Sequence, residues 1–511
     1  MTDERPLRRR ATGENGAAGP ASSTTGQDAR RSLAARTGLT ALLQRHPRVL
    51  VITALSLAFL LLGTGSVLAG VAAGSTQAAP APTVSATGSA PTPEPTRAPP
   101  SIATGPTRLR TCSIAALAQD GRLGDFVGAV VDAETGELLF DRAATTPARH
   151  GSVLKVLTAA AALRVLGPDH QLVTRVEAGS APGQIVLVGG GDATLSALAP
   201  GQESVYAGAP KLADLAAQTV AAYAAANPDA PEITEVILDA DYWNPADKWD
   251  PSWERSEQTI GYQSEVTALQ VDGDRQNPTF DTSPRSTDPV SRAGEAFAFA
   301  LDAAGNPGGR PGIRVGASNG GTELAVARSQ PVGRLIGKML LNSDNTLAEM
   351  LARVVSKESG FDGSAASLTP AFAAALQGYG VTLDPAMVIR DGSGLSHLNA
   401  VSPLYYAKLF DVIADGGQNL SVLSAGLPVA GKSGSLASRF TGDASVARGS
   451  VAAKTGWITT AYSLSGIITA ADGRRLTFAF SAIGDVDGSA RTALDLLTAG
   501  AYRCGGNLSN N

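Results

Sequence analysis

The feature that most limits how this chain can fold is a run of 25 residues, 49–73, without a charged side chain. A helix of that length crosses about 30 Å of hydrocarbon, so the run predicts one transmembrane helix. Nine Arg precede it, and residues 74–107 contain only one basic residue, Arg97. The positive-inside rule therefore predicts a basic cytoplasmic tail, 1–48, and an extracytoplasmic remainder of the chain.

A cleaved signal peptide is the alternative interpretation of this run. Signal peptides have a short basic start and an apolar stretch of about 7–15 residues, whereas here 48 residues precede a longer stretch. Residues 74–107 are Pro, Ala, Thr and Ser with almost no large apolar side chains, which predicts a disordered linker. We therefore expect a single-pass protein of the cell membrane, with its folded body outside.

The charge of the body excludes several function classes. Residues 1–48 carry a formal charge of +5 and the rest of the chain −10, so the body repels phosphate and we expect no nucleic-acid partner. Two Cys and four His provide no zinc or iron–sulfur framework, and a Walker-type phosphate loop is missing. We therefore expect neither a metal nor a cofactor.

Three short motifs carry the chemistry, and the first is Ser152-x-x-Lys155. Residues 150–169 predict a buried helix, because they are apolar on every face. Ser152 and Lys155, three residues apart, share one face of that helix. Burial lowers the pKa of an ammonium, so a neutral Lys155 could take the proton of Ser152 and create a nucleophile. The alternative is an N-cap serine followed by a snorkelling lysine.

The second motif is Ser-Asp-Asn at 343–345, between two segments of helical period. Its simpler interpretation is helix capping, with Thr346 and Glu349 as a capping box. That box would leave Ser343 and Asn345 free to face another group.

The third motif is Lys-Thr-Gly at 454–456. Two strand-like runs follow it, 457–468 and 474–483, so we expect Lys454 to open a strand that has an antiparallel partner. Lys432 fits the same short pattern, but the sequence after it is a poor strand, and Lys454 is therefore preferred.

The order of these motifs resembles that of penicillin-binding proteins and active-serine β-lactamases. The chain is similar to the D-alanyl-D-alanine carboxypeptidase/endopeptidase family, the class C low-molecular-mass penicillin-binding proteins, over residues 112–504. The resemblance extends to LVGGGDATL (187–195), DGSGLS (391–396) and AGKSGSLASRF (430–440). It implies an α+β, penicillin-binding/β-lactamase-like fold, in which an antiparallel sheet flanked by helices adjoins a helical lobe.

The resemblance also implies a serine-type D-Ala-D-Ala carboxypeptidase/endopeptidase that acts on peptidoglycan stem peptides through an acyl-enzyme. Penicillin and other β-lactams would inhibit it covalently. Five side chains would be catalytic: Ser152 as nucleophile, Lys155 as base, Ser343 and Asn345 as proton relay and peptide contacts, and Lys454 as the positive charge for the substrate carboxylate.

Substrate binding is expected along the third motif, at Thr455, Gly456 and Trp457. The backbone N–H groups of Ser152 and Trp457 would form the oxyanion hole. The family usually has a hydroxyl residue after Lys-Thr-Gly, and Trp457 departs from that pattern. One hydrogen bond to the substrate carboxylate is therefore expected to be missing.

The spacing of the first two motifs separates the remaining alternatives. A serine β-lactamase of class A has a short gap there, whereas here residues 171–330 intervene, between 108–170 and 331–504 of the peptidase domain. A non-catalytic, wall-associated scaffold is disfavoured because the motifs are intact. The intervening residues predict a β-rich inserted domain from strand-like runs at 184–191, 232–240 and 265–273.

The insert also contains three of the four Trp within eleven residues. Aromatic walls with acidic tips suit a ligand with an aliphatic stem and a cationic head, such as the third stem residue, diaminopimelate or lysine. We expect residues 243–262 to bind it, and the resemblance matches Trp253, Glu257 and Tyr262 to this pocket. The alternative is a hydrophobic cluster that pins the insert to the main domain.

Cys112 and Cys504 are expected to form a disulfide. Both lie outside the membrane, where thiols oxidise, and they bracket the folded part of the chain. By resemblance, the first strand lies beside the last helix, which would bring the two together. The alternative is two unpaired cysteines.

Overall fold

The computed structural model describes residues 109–510, and the predicted tail, transmembrane run and linker lie outside the described residues. Within 109–510, no helix has the length and apolar character needed to cross a membrane. The strands are β1 Asp125–Asp132, β2 Leu138–Arg142, β3 Val173–Ala178, β4 Gln184–Gly189, β5 Glu235–Asp239, β6 Gly312–Val315, β7 Glu323–Arg328, β8 Val451–Ile458, β9 Ala461–Thr469 and β10 Arg475–Ile483. The α-helices are α1 Lys155–Val165, α2 Leu212–Ala226, α3 Ser256–Ile260, α4 Pro289–Ala303, α5 Val332–Asn342, α6 Asn345–Glu358, α7 Leu368–Gln377, α8 Pro403–Asp415, α9 Ser421–Gly426 and α10 Ala490–Cys504.

The first sheet has the strand order β2-β1-β10-β9-β8 and is antiparallel throughout. Helix α10 packs on one face, where Leu494 and Leu497 join the apolar side chains of β9 and β10. Helix α8 covers β1 on the other face through Ala407. The expected α+β fold with a helix-flanked antiparallel sheet is confirmed, and β8 forms the edge of that sheet.

A helical lobe surrounds α1. Every residue of α1 from Lys155 to Leu163 is buried, and the helix packs against α5, α6 and α7. This explains why its sequence is apolar on every face, and the prediction of a buried helix is confirmed. Helix α8 begins with Ser402 as N-cap and Pro403 in the first turn, a combination that favours helix initiation.

The second sheet lies within residues 173–328 and has the order β6-β5-β4-β3-β7. Strands β4, β5 and β6 pair in parallel, whereas β3 pairs antiparallel to its two neighbours. A parallel pair needs a crossover connection, usually a helix, and α2 and α4 provide the two crossovers here. The prediction of a β-rich insert was therefore incomplete, since two 15-residue helices accompany its strands.

The strand predicted at 265–273 is wrong. The segment is buried, but its backbone makes single hydrogen bonds to separate parts of the chain instead of a ladder. Val266 N–H donates to the Lys248 carbonyl at 2.8 Å, and Asp272 N–H to the Leu195 carbonyl at 2.9 Å. Burial without strand pairing produces the same run of apolar residues as a buried strand, which is why the pattern misled.

Cys112 and Cys504 are joined by a disulfide, with their Cα atoms 5.4 Å apart. Cys112 also exchanges backbone hydrogen bonds with the C-terminal segment, at Asn507 and Ser509 (3.2 and 2.8 Å). The bond closes a loop across 392 residues of sequence. In the chain-entropy model such a loop contributes at most about 5 kcal/mol to the free energy of unfolding.

Candidate active site

The first motif lies at the start of α1. Ser152 sits in a short 3-10 turn, Gly151–Leu154, and Lys155 is the first residue of α1. Lys155 is fully buried, and its Nζ lies 2.9 Å from Ser152 Oγ, 2.6 Å from Asn345 Oδ1 and 2.7 Å from the Ser393 carbonyl oxygen. Burial lowers the pKa of Lys155 to about 8, although nearby carboxylates act to raise it. The amine can therefore accept a proton close to neutral pH.

Two glycines allow the turn to approach its neighbours. Gly151 has a φ of +49°, and a Cβ at this position would lie 2.8 Å from the backbone nitrogen of Trp457. Gly394 has a φ of +82°, and its Cβ would lie 1.9 Å from the Gly151 carbonyl oxygen. Only glycine permits both the conformation and the approach. The backbone N–H groups of Ser152 and Trp457 thus belong to two segments in direct contact.

The second motif joins α5 to α6. Ser343 ends α5 in a left-handed conformation, with a φ of +61°, and Asn345 is the first residue of α6. Asn345 Oδ1 lies 2.6 Å from Lys155 Nζ, and Ser343 Oγ lies 2.9 Å from Lys454 Nζ. Direct hydrogen bonds therefore connect all three motifs.

The simpler interpretation of the second motif, a capping box formed by Thr346 and Glu349 at the start of α6, is wrong. The N-cap is Asp344, whose carboxylate accepts the Leu347 N–H at 3.0 Å. Because Asp344 already satisfies the end of the helix, Glu349 is free for another contact. Its carboxylate accepts the backbone N–H groups of Gly392 and Ser393 at 3.1 and 2.8 Å.

Lys454 of the third motif lies in the middle of β8. The expected strand with an antiparallel partner is confirmed, since β8 pairs with β9, but the strand begins three residues before Lys454. Its Nζ donates to Ser343 Oγ and to the Thr455 carbonyl, both at 2.9 Å. Burial, and then the positive charge of Lys155, hold the pKa of Lys454 well below its usual value. The competing Lys432 is exposed.

A cavity of about 710 Å³ opens beside the Ser152 hydroxyl. Trp457 is 46% exposed at its wall, and Ser435 Oγ, which also lines it, lies 2.8 Å from Thr455 Oγ1. Within residues 109–510, no group of three His, Cys, Asp or Glu side chains is arranged to hold a metal ion. The residues singled out from the sequence that line this cavity are Ser152, Ser343, Asn345, Thr455, Gly456, Trp457, Glu257 and Tyr262.

Trp253 does not line the cavity, so its assignment to the substrate pocket is wrong. Its side chain is buried edge-on against Trp249, with ring centroids 5.3 Å apart, and its Nε1 donates to Asp391 Oδ2 at 2.9 Å. A buried indole needs a partner for its N–H group, and here that partner lies in the main domain. Trp243 is also buried and donates to the Val266 carbonyl at 3.2 Å. These tryptophans pack the insert against the helical lobe.

The turn at 391–394 supplies groups that none of the three motifs contains. Ser393 gives Lys155 a carbonyl acceptor, and Asp391 holds the turn through the Gly394 N–H at 2.7 Å. The DGSGLS segment carried a signal for this turn, because an acid followed by two glycines favours a tight turn with a side-chain acceptor. Because the turn is far from Lys155 along the chain, the sequence did not predict the contact between them.

A second connection links the insert to the Ser-Asp-Asn turn. Arg275 and Asp344 form an ion pair at 2.8 Å, with both side chains 2% exposed. Tyr206 donates to Asp344 at 3.0 Å and accepts from Arg275 at 2.6 Å. Burial alone would raise the pKa of Asp344, but the charges of Arg275 and Arg285 outweigh it and hold that pKa at about 2. This cluster fixes the turn that carries Ser343 and Asn345.

The chain matches the model of the D-Ala-D-Ala carboxypeptidase 3 (S13) family over residues 110–290 and 275–499. The chain is 35% identical over 427 residues to Carboxypeptidase DacB of Mycolicibacterium smegmatis, which covers 81% of this chain and 90% of that protein. It is 28% identical over 443 residues to a D-alanyl-D-alanine carboxypeptidase of an Actinomadura species, covering 70% and 77% of the two chains.

Among solved structures, the chain is similar to penicillin binding protein 4 (dacB) of Haemophilus influenzae. The TM-score is 0.62 at 20% identity, and the match covers 76% of this chain and 98% of that one. A second structure of the same protein, complexed with a β-lactam, matches with a TM-score of 0.59 over the same shares of the chains. At this identity the likeness shows a shared fold.

Proposed function

This chain belongs to the D-Ala-D-Ala carboxypeptidase 3 (S13) family, and we propose that it is a serine-type D-Ala-D-Ala carboxypeptidase of the penicillin-binding type. Its substrates would be peptidoglycan stem peptides, and β-lactams would acylate the same serine. The observation that carries the proposal is the 2.9 Å contact between Ser152 Oγ and the buried Nζ of Lys155. A hydroxyl beside a lysine whose pKa is about 8 has the base it needs.

Acylation would proceed from that contact. Ser152 Oγ attacks the carbonyl carbon between the two D-alanines, and its proton passes to Lys155 Nζ. The backbone N–H groups of Ser152 and Trp457 donate hydrogen bonds to the carbonyl oxygen and stabilise the negative charge that forms on it. As the C=O bond re-forms and the C–N bond breaks, the leaving amine of D-alanine takes the proton held by Lys155, relayed through Ser343. Water then hydrolyses the Ser152 ester and releases the shortened peptide.

Lys454 would bind the carboxylate of the terminal D-alanine. In the free site, burial and the charge of Lys155 keep its pKa low, so an arriving carboxylate would favour its charged form. The hydroxyl groups of Thr455 and Ser435, 2.8 Å apart at the cavity wall, stand ready to contribute hydrogen bonds. These two hydroxyls can replace the hydrogen bond that, in the family, comes from a hydroxyl residue at the position of Trp457.

The test of the proposal is mass spectrometry of purified muropeptides incubated with the full-length protein. Carboxypeptidase activity removes a single D-alanine from pentapeptide stems, and endopeptidase activity splits cross-linked dimers into monomers. Unchanged muropeptides, with active reference enzyme in parallel, would contradict the proposal.

The pocket for the third stem residue remains part of the proposal, without Trp253. Glu257 and Tyr262 line the cavity, Tyr262 is 43% exposed, and Glu254 adds a second carboxylate. Burial and the charge of Glu254 raise the pKa of Glu257. A cationic side chain of the stem peptide would stabilise the ionised form of Glu257 and so lower its pKa again. This supports a role for these acids in binding an amine.

Glu257→Gln is expected to lower kcat/KM for stem peptides about tenfold while leaving penicillin acylation unchanged. The reason is that an ionic hydrogen bond to the peptide amine is lost, and penicillin lacks that amine. Steady-state kinetics on a pentapeptide and stopped-flow labelling with fluorescent penicillin measure the two effects. Glu323→Gln, in β7 of the insert and exposed, is the matched control. Wild-type peptide turnover in the Glu257 variant would refute its assignment.

We also propose that residues 49–73 hold the protein in the cell membrane with its catalytic body outside. The absence of charge in that run and the Arg residues before it support this orientation. The disulfide agrees with an oxidising compartment. Release of the protein from membranes by alkaline carbonate would contradict an integral anchor.

A further inference from the structure

Asp391 is a buried carboxylate that the reaction outlined above does not use. It is 1% exposed, and its two oxygens accept four hydrogen bonds. Oδ1 accepts from Gly394 N–H at 2.7 Å and Asn399 Nδ2 at 2.9 Å, whereas Oδ2 accepts from Ser396 N–H at 2.6 Å and Trp253 Nε1 at 2.9 Å. Because all four partners are N–H donors, both oxygens act only as acceptors, as in an ionised carboxylate.

One of these hydrogen bonds leads directly to Lys155. The N–H group of Gly394 belongs to the peptide group whose carbonyl is that of Ser393. That carbonyl oxygen accepts from Lys155 Nζ at 2.7 Å. A single amide therefore lies between the carboxylate and the lysine. A hydrogen bond to an anion at the N–H end polarises an amide and makes its oxygen a stronger acceptor.

We propose that Asp391, through the peptide group between Ser393 and Gly394, sets how strongly Lys155 holds its proton and thereby the pH at which Ser152 becomes a nucleophile. Asp391 is thus a positioning residue. Trp253, from the insert, weakens the effect of Asp391 because its indole N–H donates a hydrogen bond to Oδ2 and takes up part of the negative charge. The inference rests on the proposed function, in which Lys155 is the base.

Other charges face the same region and must be weighed. Asp391 is the strongest of the carboxylates that raise the pKa of Lys155 against burial, followed by Glu349 and Asp344. Glu349 instead accepts from the two preceding amides, through Gly392 N–H and Ser393 N–H. The carbonyl of the second of these amides, that of Gly392, accepts from Thr158 Oγ1 at 2.6 Å and not from Lys155. Other titratable and charged groups pack against these residues. Lys454 on β8 faces Lys155, and Tyr406 on α8 faces Asp391 with His150 against its ring. Arg275 and Arg285 from the insert face Asp344, and Arg353 on α6 faces Glu349. The Arg390–Asp250 ion pair adjoins Asp391 in sequence.

A purely structural role for Asp391 is the competing explanation. Its four hydrogen bonds tie the turn at 391–399, and their loss would lower the rate of acylation at every pH by the same factor. An electrostatic role predicts a different result, because removing a negative charge changes the proton affinity of Lys155. The midpoint of the pH profile therefore separates the two roles.

The experiment measures the rate of Ser152 acylation by fluorescent penicillin between pH 6 and pH 10 in the full-length protein. For the wild type, the rate should rise with pH through a midpoint near the Lys155 pKa of about 8, since only the neutral amine accepts a proton. Asp391→Asn should move the midpoint down by about one pH unit, because a neighbouring charge that favours the ammonium is removed.

Trp253→Phe provides a second measurement of opposite sign. Without the indole N–H, Oδ2 keeps more of its charge, so the midpoint should rise by about half a pH unit. Trp249→Phe is the matched control, because Trp249 packs against Trp253 but its Nε1 donates to the Trp253 carbonyl and not to Asp391. Its midpoint should equal that of the wild type.

Wild-type midpoints in both Asp391→Asn and Trp253→Phe would overturn the inference and leave the proposed function intact. If Asp391→Asn does not fold, Trp253→Phe decides alone, and a midpoint at or below that of Trp249→Phe overturns the inference. If the wild-type protein is not labelled at Ser152 at all, the proposed function fails, and the role of Asp391 fails with it.

Discussion

Ser152→Ala is expected to lose all measurable labelling by fluorescent penicillin and at least about 10⁴-fold in D-alanine release. The substitution removes the only atom that can form the ester, while Lys155 Nζ keeps its contacts with Asn345 Oδ1 and the Ser393 carbonyl. The fold should therefore survive. Gel fluorescence, peptide turnover and the midpoint of thermal unfolding measure the three properties.

Ser318→Ala is the control for this substitution. Ser318 lies in the insert, where its hydroxyl contacts Glu177 and its backbone N–H donates to Asp239 at 2.7 Å. Full labelling is expected in this variant. Covalent labelling that persists in Ser152→Ala, mapped to another residue, would move the nucleophile elsewhere and end the proposed mechanism.

Arg275→Ala is expected to lower the free energy of unfolding by about 3–5 kcal/mol. Removing Arg275 leaves the Asp344 carboxylate buried without its cation, and Tyr206 loses its donor. In the wild type, the charges of Arg275 and Arg285 hold the pKa of Asp344 at about 2, below the ordinary value of 3.8 for an aspartate. Its charge therefore contributes stability above about pH 4, and this contribution is lost as the pH falls toward 2.

Urea unfolding at neutral pH measures the effect, with Arg314→Ala as the matched control. Arg314 pairs with Glu235 at 3.0 Å, but the two side chains are 48% and 31% exposed, so less than about 1 kcal/mol should be lost. Acylation should also slow in Arg275→Ala, because the turn that presents Ser343 loses its anchor. Equal losses in the two variants would show that the buried pair is not a stabilising contact.

Contacts between residues that are close along the chain could be predicted from the sequence. Ser152 and Lys155 lie three residues apart at a helix start, so their spacing predicts one shared face, with a snorkelling lysine as the alternative. The contacts between motifs needed the family resemblance, because nothing local brings Lys454 to Ser343 across 111 residues. The same resemblance led to an error at Trp253, because the indole N–H of this residue donates to the buried Asp391 carboxylate and its ring does not line the substrate cavity.

The contributions of Asp391 and Glu349 could not be predicted from local sequence. Ser393 and Lys155 are 238 residues apart, and their hydrogen bond depends on the packing of a turn against the helical lobe. Glu349 fits a capping pattern, but Asp344 is the N-cap, and the Glu349 carboxylate therefore contacts the turn at 392–393. Capping rules identify residues that can end a helix, but tertiary contacts select among them.

The bond between Cys112 and Cys504 also determines how the body would bear tension. A pull on the chain from its N-terminal side reaches Cys112 before it reaches β1, which lies inside the first sheet between β2 and β10. The covalent bond transfers that load to the end of α10 and bypasses the strands between. The pull would then act on β1 only in part, whereas after reduction of the bond it would first separate the segment before β1 from the C-terminal residues that it contacts.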